Sequence, residues 1–381
     1  MIFGEPMENW RKLMPIGMYL KSDGFASSLS DPQGALTYRK FCADNGIAYA
    51  DTGKPVSLES FCAYGQTFQK QMVPMLDPRK VADVQYIDGQ FRLTLSDGAN
   101  VVARRVIVAS GISNFEYLPA ELRALPREFL SHSALNRDLS RFKGKDVLVL
   151  GAGASSTDIA ALLVDQGAAA QIVSREPVEF HDPPSGKPRS LWQRMRNPHL
   201  GLGPSWRTAL FTLFPYLFRY IPLARRQHII RKHLGPAAGW FIRDKVKAHV
   251  PMHPGYSFRR AEVRGERIHV EFSGRDGSSK EFDVHHVIAG TGYQVDLSRL
   301  PFLNDSIRAQ IRLEANWPAL SRQFESSVPG LYFVGLPSAL TFGPLTRFTH
   351  GAGFTARRLS RHLVGRQTES IAATASAARS R

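Results

Sequence analysis

Gly151 and Gly153, in "VLVLGAGASSTDIAALL", are the residues of this chain best spaced for holding a phosphate. Two glycines straddling one residue after an apolar run let the backbone turn sharply and approach a pyrophosphate. The helix that follows adds unpaired N–H groups and the positive end of its dipole. Ser155 and Ser156 open that helix, and Ser156 stands where a third small residue lets helix and strand pack closely. The next apolar run ends "IVSRE". There Ser174 can hydrogen-bond a 2′-phosphate and Arg175 can neutralise it, which favours NADPH over NADH, with Glu176 one step beyond. "ASGIS" with Ser110 and Gly111, and "AGTGY" with Thr291, Gly292 and Tyr293, are apolar strands ending in small residues. They suit a chain crossing between domains beside a bound nucleotide, where a larger side chain would collide.

Other chemistries are poorly supplied. The two cysteines, Cys42 and Cys62, lie in apolar helical contexts. They form neither a CxxC redox pair nor a metal cluster, and no metal is expected. That usage suits a reducing cytoplasm, and "MIFGEPMENW" is not a secretory leader. The net charge of +16 is concentrated at Lys187–Arg196, Arg219–Lys232 and the last two dozen residues. No nucleic-acid module accompanies it, so anionic cofactors, substrates or lipid surfaces are the expected partners. Thr208–Phe218, "TALFTLFPYLF", falls short of the ~20 residues a spanning helix needs. Burial as a lid or core helix is expected for it, with membrane-surface contact as the alternative.

The elements that must position these residues repeat. "DVLVL", the glycine turn, "STDIAALLVDQG" and "AAAQIVSR" form a strand–helix–strand unit, the context in which a glycine fingerprint carries weight. Residues 84–111 and 261–292 echo one another as three-stranded meanders, each with an Asp-Gly turn (Asp97–Gly98, Asp276–Gly277) and each ending in a glycine-terminated strand. Two related units follow, and in the first the opening strand, turn and helix are expected to be absent from the chain. "LYFVG" makes a further strand turned by Gly335 before a last helix that starts near Phe348 or His350. Arg347 and His350 are candidates for an anionic ring or substrate.

With these residues assembled, the chain resembles the two-dinucleotide-binding flavoproteins, in particular flavin-containing monooxygenases and N-hydroxylases. "HSALNRDLSRFKGKDVLVLGAGASSTDIA" is similar to that family's approach to its NADPH fingerprint, and "VIAGTGY" to its second linker. "SDGANVVARRVIVASGISNFEYLP" is similar to the first linker, and "VPGLYFVG…GPLTRFTHGAGFTARRL" to the flavin-contacting strand and helix. "WRKLMPIGMYLKS" resembles the segment that approaches the isoalloxazine. The resemblance therefore implies Trp10, Lys21, Ser22, Gly335, Gly343 and Pro344 as further FAD contacts. Gly4-Glu5 stand where an acidic strand end is usual, and Phe129 and His132 keep part of an FxGxxxH signature.

The resemblance implies an α/β fold of two Rossmann-like, three-layer domains, each with a meander. The expected division is an incomplete FAD domain at 1–140, and an NADP domain at 141–292 carrying a helical insertion at about 177–254. An FAD return segment follows at 293–365, then a disordered tail at 366–381. The implied activity is FAD- and NADPH-dependent hydroxylation of a small molecule by O₂ through a C4a-(hydro)peroxyflavin, at nitrogen, sulfur or a ring. The alternatives are an NAD(P)H–flavin oxidoreductase with a quinone or other acceptor, and an inactive NADP-binding protein.

Overall fold

The computed structural model describes residues 1–183, 190–232 and 237–379. The expected basic cluster at Lys187–Arg196 thus lies partly outside the described residues. Among the described residues nine short strands pair in parallel: β1 (Ile2–Phe3), β2 (Leu76–Asp77), β3 (Val106–Val108), β4 (Leu130–His132), β5 (Asp146–Leu150), β6 (Ala169–Ser174), β7 (Met252–Pro254), β8 (His286–Ala289) and β9 (Leu331–Phe333). Val147, Leu148, Val149 and Leu150 of β5 are all buried, as a parallel strand covered on both faces requires. Helix α1 (Ala154–Asp165) buries Ile159, Ala160 and Leu163 against this sheet and stops at Gln166, before Gly167 at φ 77°.

The second half of the fold is one five-stranded sheet in the order β7-β6-β5-β8-β4. The first half shows two separate pairs, β2-β1 and β3-β9. Aligned by role, β2, β1, β3 and β9 match β7, β6, β8 and β4. Among the described residues no strand corresponds to β5. Ile2 and Ile107, on the two strands that would flank it, are 52% and 43% exposed.

Both meanders form. Val81–Ile87, Gln90–Leu95 and Asn100–Ala103 pair antiparallel, and so do Tyr256–Arg264, Arg267–Gly274 and Ser279–Val284. The first hairpin turns on Asp88 and Gly89, both at positive φ (50° and 76°), the backbone that matches strand twist in a two-residue loop. Phe91 and Leu93 enter the first core with Leu331 and Phe333 of β9, whereas Ile268, Val270 and Phe272 pack on β5 and β8.

The insertion differs from expectation. Its helical runs include α2 (Trp206–Leu213), a 3₁₀ segment (Pro215–Tyr220) and α3 (Leu223–Lys232), so Thr208–Phe218 is not one continuous helix. Pro215 has no N–H to continue α2, so the chain tightens into a new short helix. Phe211, Phe218 and Ile230 pack together on Ala339, but Trp206 (63%), Leu210 (53%) and Leu217 (46%) stay exposed, so the expected burial holds for one face only. The last helix, α4 (Ala352–Arg379), runs through the stretch expected to be a disordered tail; "ESIAATASAAR" is alanine-rich and has no proline or glycine to break it.

Candidate nucleotide-binding cleft

The turn after β5 is built for close approach. Gly151 takes φ 117°, and a Cβ there would sit 2.5 Å from Gly290 O. Gly290 is held as tightly: a Cβ on it would run into Ser156 Oγ and lie 3.0 Å from Leu150 O. Ser156 is fully buried, its hydroxyl 3.4 Å from Leu150 O and 3.5 Å from Gly290 O, so it closes helix, strand and linker together. Helix α1 starts at Gly153 with no side-chain cap. Ser155 in its first turn is exposed, and Ser156 N–H donates to Gly153 O at 3.0 Å.

At the end of β6 the charges sort themselves. Glu176, which would repel a 2′-phosphate, is paired with Arg275 from the second meander's turn, and this holds its carboxyl below the usual range. Ser174 Oγ donates to Glu176 O at 2.6 Å, and Arg175 stays exposed at the rim. Arg275 was not foreseen, because the turn that carries it is far away in sequence.

The two linkers lace the halves together. Tyr117 N–H donates to Gly292 O at 2.9 Å, Gln294 N–H to Phe115 O at 2.7 Å, and the Thr291 hydroxyl to Tyr117 O. His132 fixes the same point. Its Nδ1 accepts from Ala134 N–H (3.1 Å), so Nε2 carries the proton and donates to Gly292 O (3.0 Å). Burial lowers His132 to about 4, which keeps it neutral. Tyr293 lies edge-on to that ring at 5.5 Å, and burial raises its phenol to about 12. At the first linker Ser110 Oγ is buried with no hydrogen-bond partner.

Between the halves lies a charged cluster. The segment before Lys21 runs along α1, and a Cβ on Gly17 would be 3.3 Å from Leu162 Cδ2. Lys21 Nζ donates to Ala237 O at 2.9 Å, and its pKa is lowered by burial, with Arg347 acting the same way and Asp158 against it. Asp158, just over one turn into α1, has its carboxyl pushed up to about 7 by burial, in spite of Lys21. Arg347 donates to Ile230 O at 2.8 Å, and its pKa is also lowered by burial. The insertion therefore roofs the cleft: Lys21 and Arg347 both bond its backbone, and a Cβ on Gly343 would be 3.1 Å from Phe218.

The remaining predicted contacts divide. Gly335 (φ 73°) and buried Pro344 lie in the return segment behind the cleft. Gly111 turns the first linker at φ 70°. Ser22 bonds Ser27 (2.9 Å), and Trp10 packs edge-on against Phe61 at 5.0 Å within the first half's helical core. His350 wedges against Gly201 of the insertion, not against the cluster.

A model of the pyridine nucleotide-disulphide oxidoreductase family matches residues 48–192. Among solved structures, the ornithine N-hydroxylase of Kutzneria sp. 744 is similar over 94% of this chain and 90% of that one, with TM-score 0.70 and 12% identity. The L-lysine 6-monooxygenase of Pseudomonas syringae is similar over the same shares, with TM-score 0.70 and 17% identity. The chain shares the fold of these two hydroxylases. A FAD-dependent urate hydroxylase of Xanthomonas campestris pv. campestris is 37% identical over 84 residues. That stretch is 21% of this chain and only 18% of the relative's length. Cys42 and Cys62 are both free, Cys42 buried in the first half's helical core.

Proposed function

We propose that this chain is the catalytic body of an NADPH-dependent flavin monooxygenase that hydroxylates a small nucleophile bearing an anionic group. The observation that carries the reading is the meeting of Lys21, Asp158 and Arg347 beside the nucleotide helix, under the roof of the insertion.

NADPH fits the residues present. Gly151 and the uncapped start of α1 take the pyrophosphate, while Arg175, with Glu176 neutralised by Arg275, takes the 2′-phosphate. For FAD the fit is partial. Ser110 Oγ offers a buried, unpartnered hydroxyl, but no glycine turn leading into a helix lies between β1 and β3 among the described residues. A flavin as second nucleotide accords with the hydroxylase and monooxygenase names of the similar proteins. When bound, the cofactors supply hydride and oxygen chemistry, and the protein supplies position and charge.

Lys21 and Arg347 bind and orient the anionic end of the substrate. Asp158, poised near neutrality, takes a proton at its carboxylate from the substrate nucleophile. The insertion covers part of the cleft through its contacts with Lys21, Arg347 and Gly343.

The test is to add FAD to purified protein and measure bound flavin, NADPH oxidation and O₂ uptake with small carboxylate-bearing amines, thiols and phenols. Hydroxylated product equal to O₂ consumed supports the proposal. NADPH oxidation that passes only to a quinone or dye, with no hydroxylated product, refutes it.

A further inference from the structure

Residues 183–243 hold eleven Lys and Arg and no Asp or Glu, most of the chain's net charge of +16. Three of this insertion's helical runs, α2, the 3₁₀ segment and α3, turn one face inward, where Phe211, Phe218 and Ile230 meet on Ala339. Their opposite faces therefore look outward on one side. On α2 the outward residues are Trp206 (63%), Leu210 (53%) and Leu213 (55%), at one-helix-face spacing. The 3₁₀ segment adds Tyr216, Leu217 and Tyr220, each at least 40% exposed. On α3 the outward stripe is basic: Arg225, His228, Arg231 and Lys232 are exposed, while Arg226 and Ile230 are buried. Arg207 adds a further exposed cation on α2.

A water-facing surface does not need this much aromatic and leucine area, and a neutral protein partner does not need so many cations without one acid. We infer that the outward face of α2, the 3₁₀ segment and α3 rests on an anionic lipid bilayer. The Trp206–Leu210–Leu213 ridge enters the headgroup–acyl boundary, and Arg207 with the α3 stripe meets the lipid phosphates. Tyr216 and Tyr220 suit the same depth, with rings in the apolar layer and hydroxyls in the wet one. No helix among the described residues is long and apolar enough to cross a membrane, so the contact is peripheral. The inference stands whichever reaction the cleft performs.

Full-length protein is floated with vesicles of pure phosphatidylcholine and with vesicles containing phosphatidylglycerol, at low and high salt. The expected result is binding to the phosphatidylglycerol vesicles that weakens with salt. A Trp206→Ser/Leu210→Ser/Leu213→Ser variant should bind at least about tenfold less, and Arg225→Gln/Arg231→Gln roughly twentyfold less at low salt, at about fivefold per charge. Far-UV circular dichroism and sedimentation velocity of each variant establish that it is folded. The inference is overturned if folded wild-type protein stays off the anionic vesicles, or if the triple variant binds them as well as wild type. It is also overturned if wild type is an oligomer that ignores vesicles and that the triple variant dissociates, since a second copy then covers the face.

Discussion

Asp158→Asn should stabilise the protein at pH 8 and leave it nearly unchanged at pH 3.5. The Asp158 carboxyl is displaced from its ordinary 3.8 to about 7 by burial. Because the folded state holds this proton more tightly than the unfolded one, stability falls as pH rises through the window from about 4 to about 7, and levels off above it. A shift of this size corresponds to about 4 kcal/mol at full ionisation, a ceiling that structural relaxation and water entry reduce. Asparagine keeps the shape and cannot ionise. Urea unfolding of nucleotide-free protein should therefore show the variant ahead by about 1–4 kcal/mol at pH 8 and within about 0.5 kcal/mol at pH 3.5. Lys21→Met should sharpen the contrast, since it removes the cation that holds the Asp158 pKa down. A wild-type-to-variant difference that is the same at both pH values would refute the enclosure of Asp158 between the halves.

Arg175→Ala should weaken NADPH binding about ten- to hundredfold and change NADH binding little, measured by fluorescence titration of both nucleotides. Arg275→Ala should free Glu176 and shift the preference further toward NADH in the same titration. Gly290→Ala should cost about 1–3 kcal/mol of stability and disturb the turn at Gly151, read as a lower melting temperature and lost protection by NADPH. His132 and His286, both lowered to about 4 by burial, should make stability fall as pH drops from about 6.5 to about 4, and His132→Gln should flatten part of that decline in urea titrations.

Much of this molecule is written in short stretches. The glycine turn at Gly151, the buried run of β5, the paired meanders and the strand ending at Ser174 are set by periodicity and turn chemistry within about ten residues, and each forms as the sequence predicts. Tertiary structure alone decides what meets across the cleft. Asp158 looks like any polar position on an amphipathic helix until the segment carrying Lys21 is laid along α1, and Glu176 looks like an obstacle until the second meander brings Arg275 to it. The outward ridge of α2 is equally invisible in "TALFTLFPYLF", because an apolar run does not say which of its faces a distant Ala339 will cover. Local patterns depend on bonds between near neighbours, whereas pKa shifts, charge pairing and exposure depend on how far-separated segments dock, and a linear sequence does not state that distance.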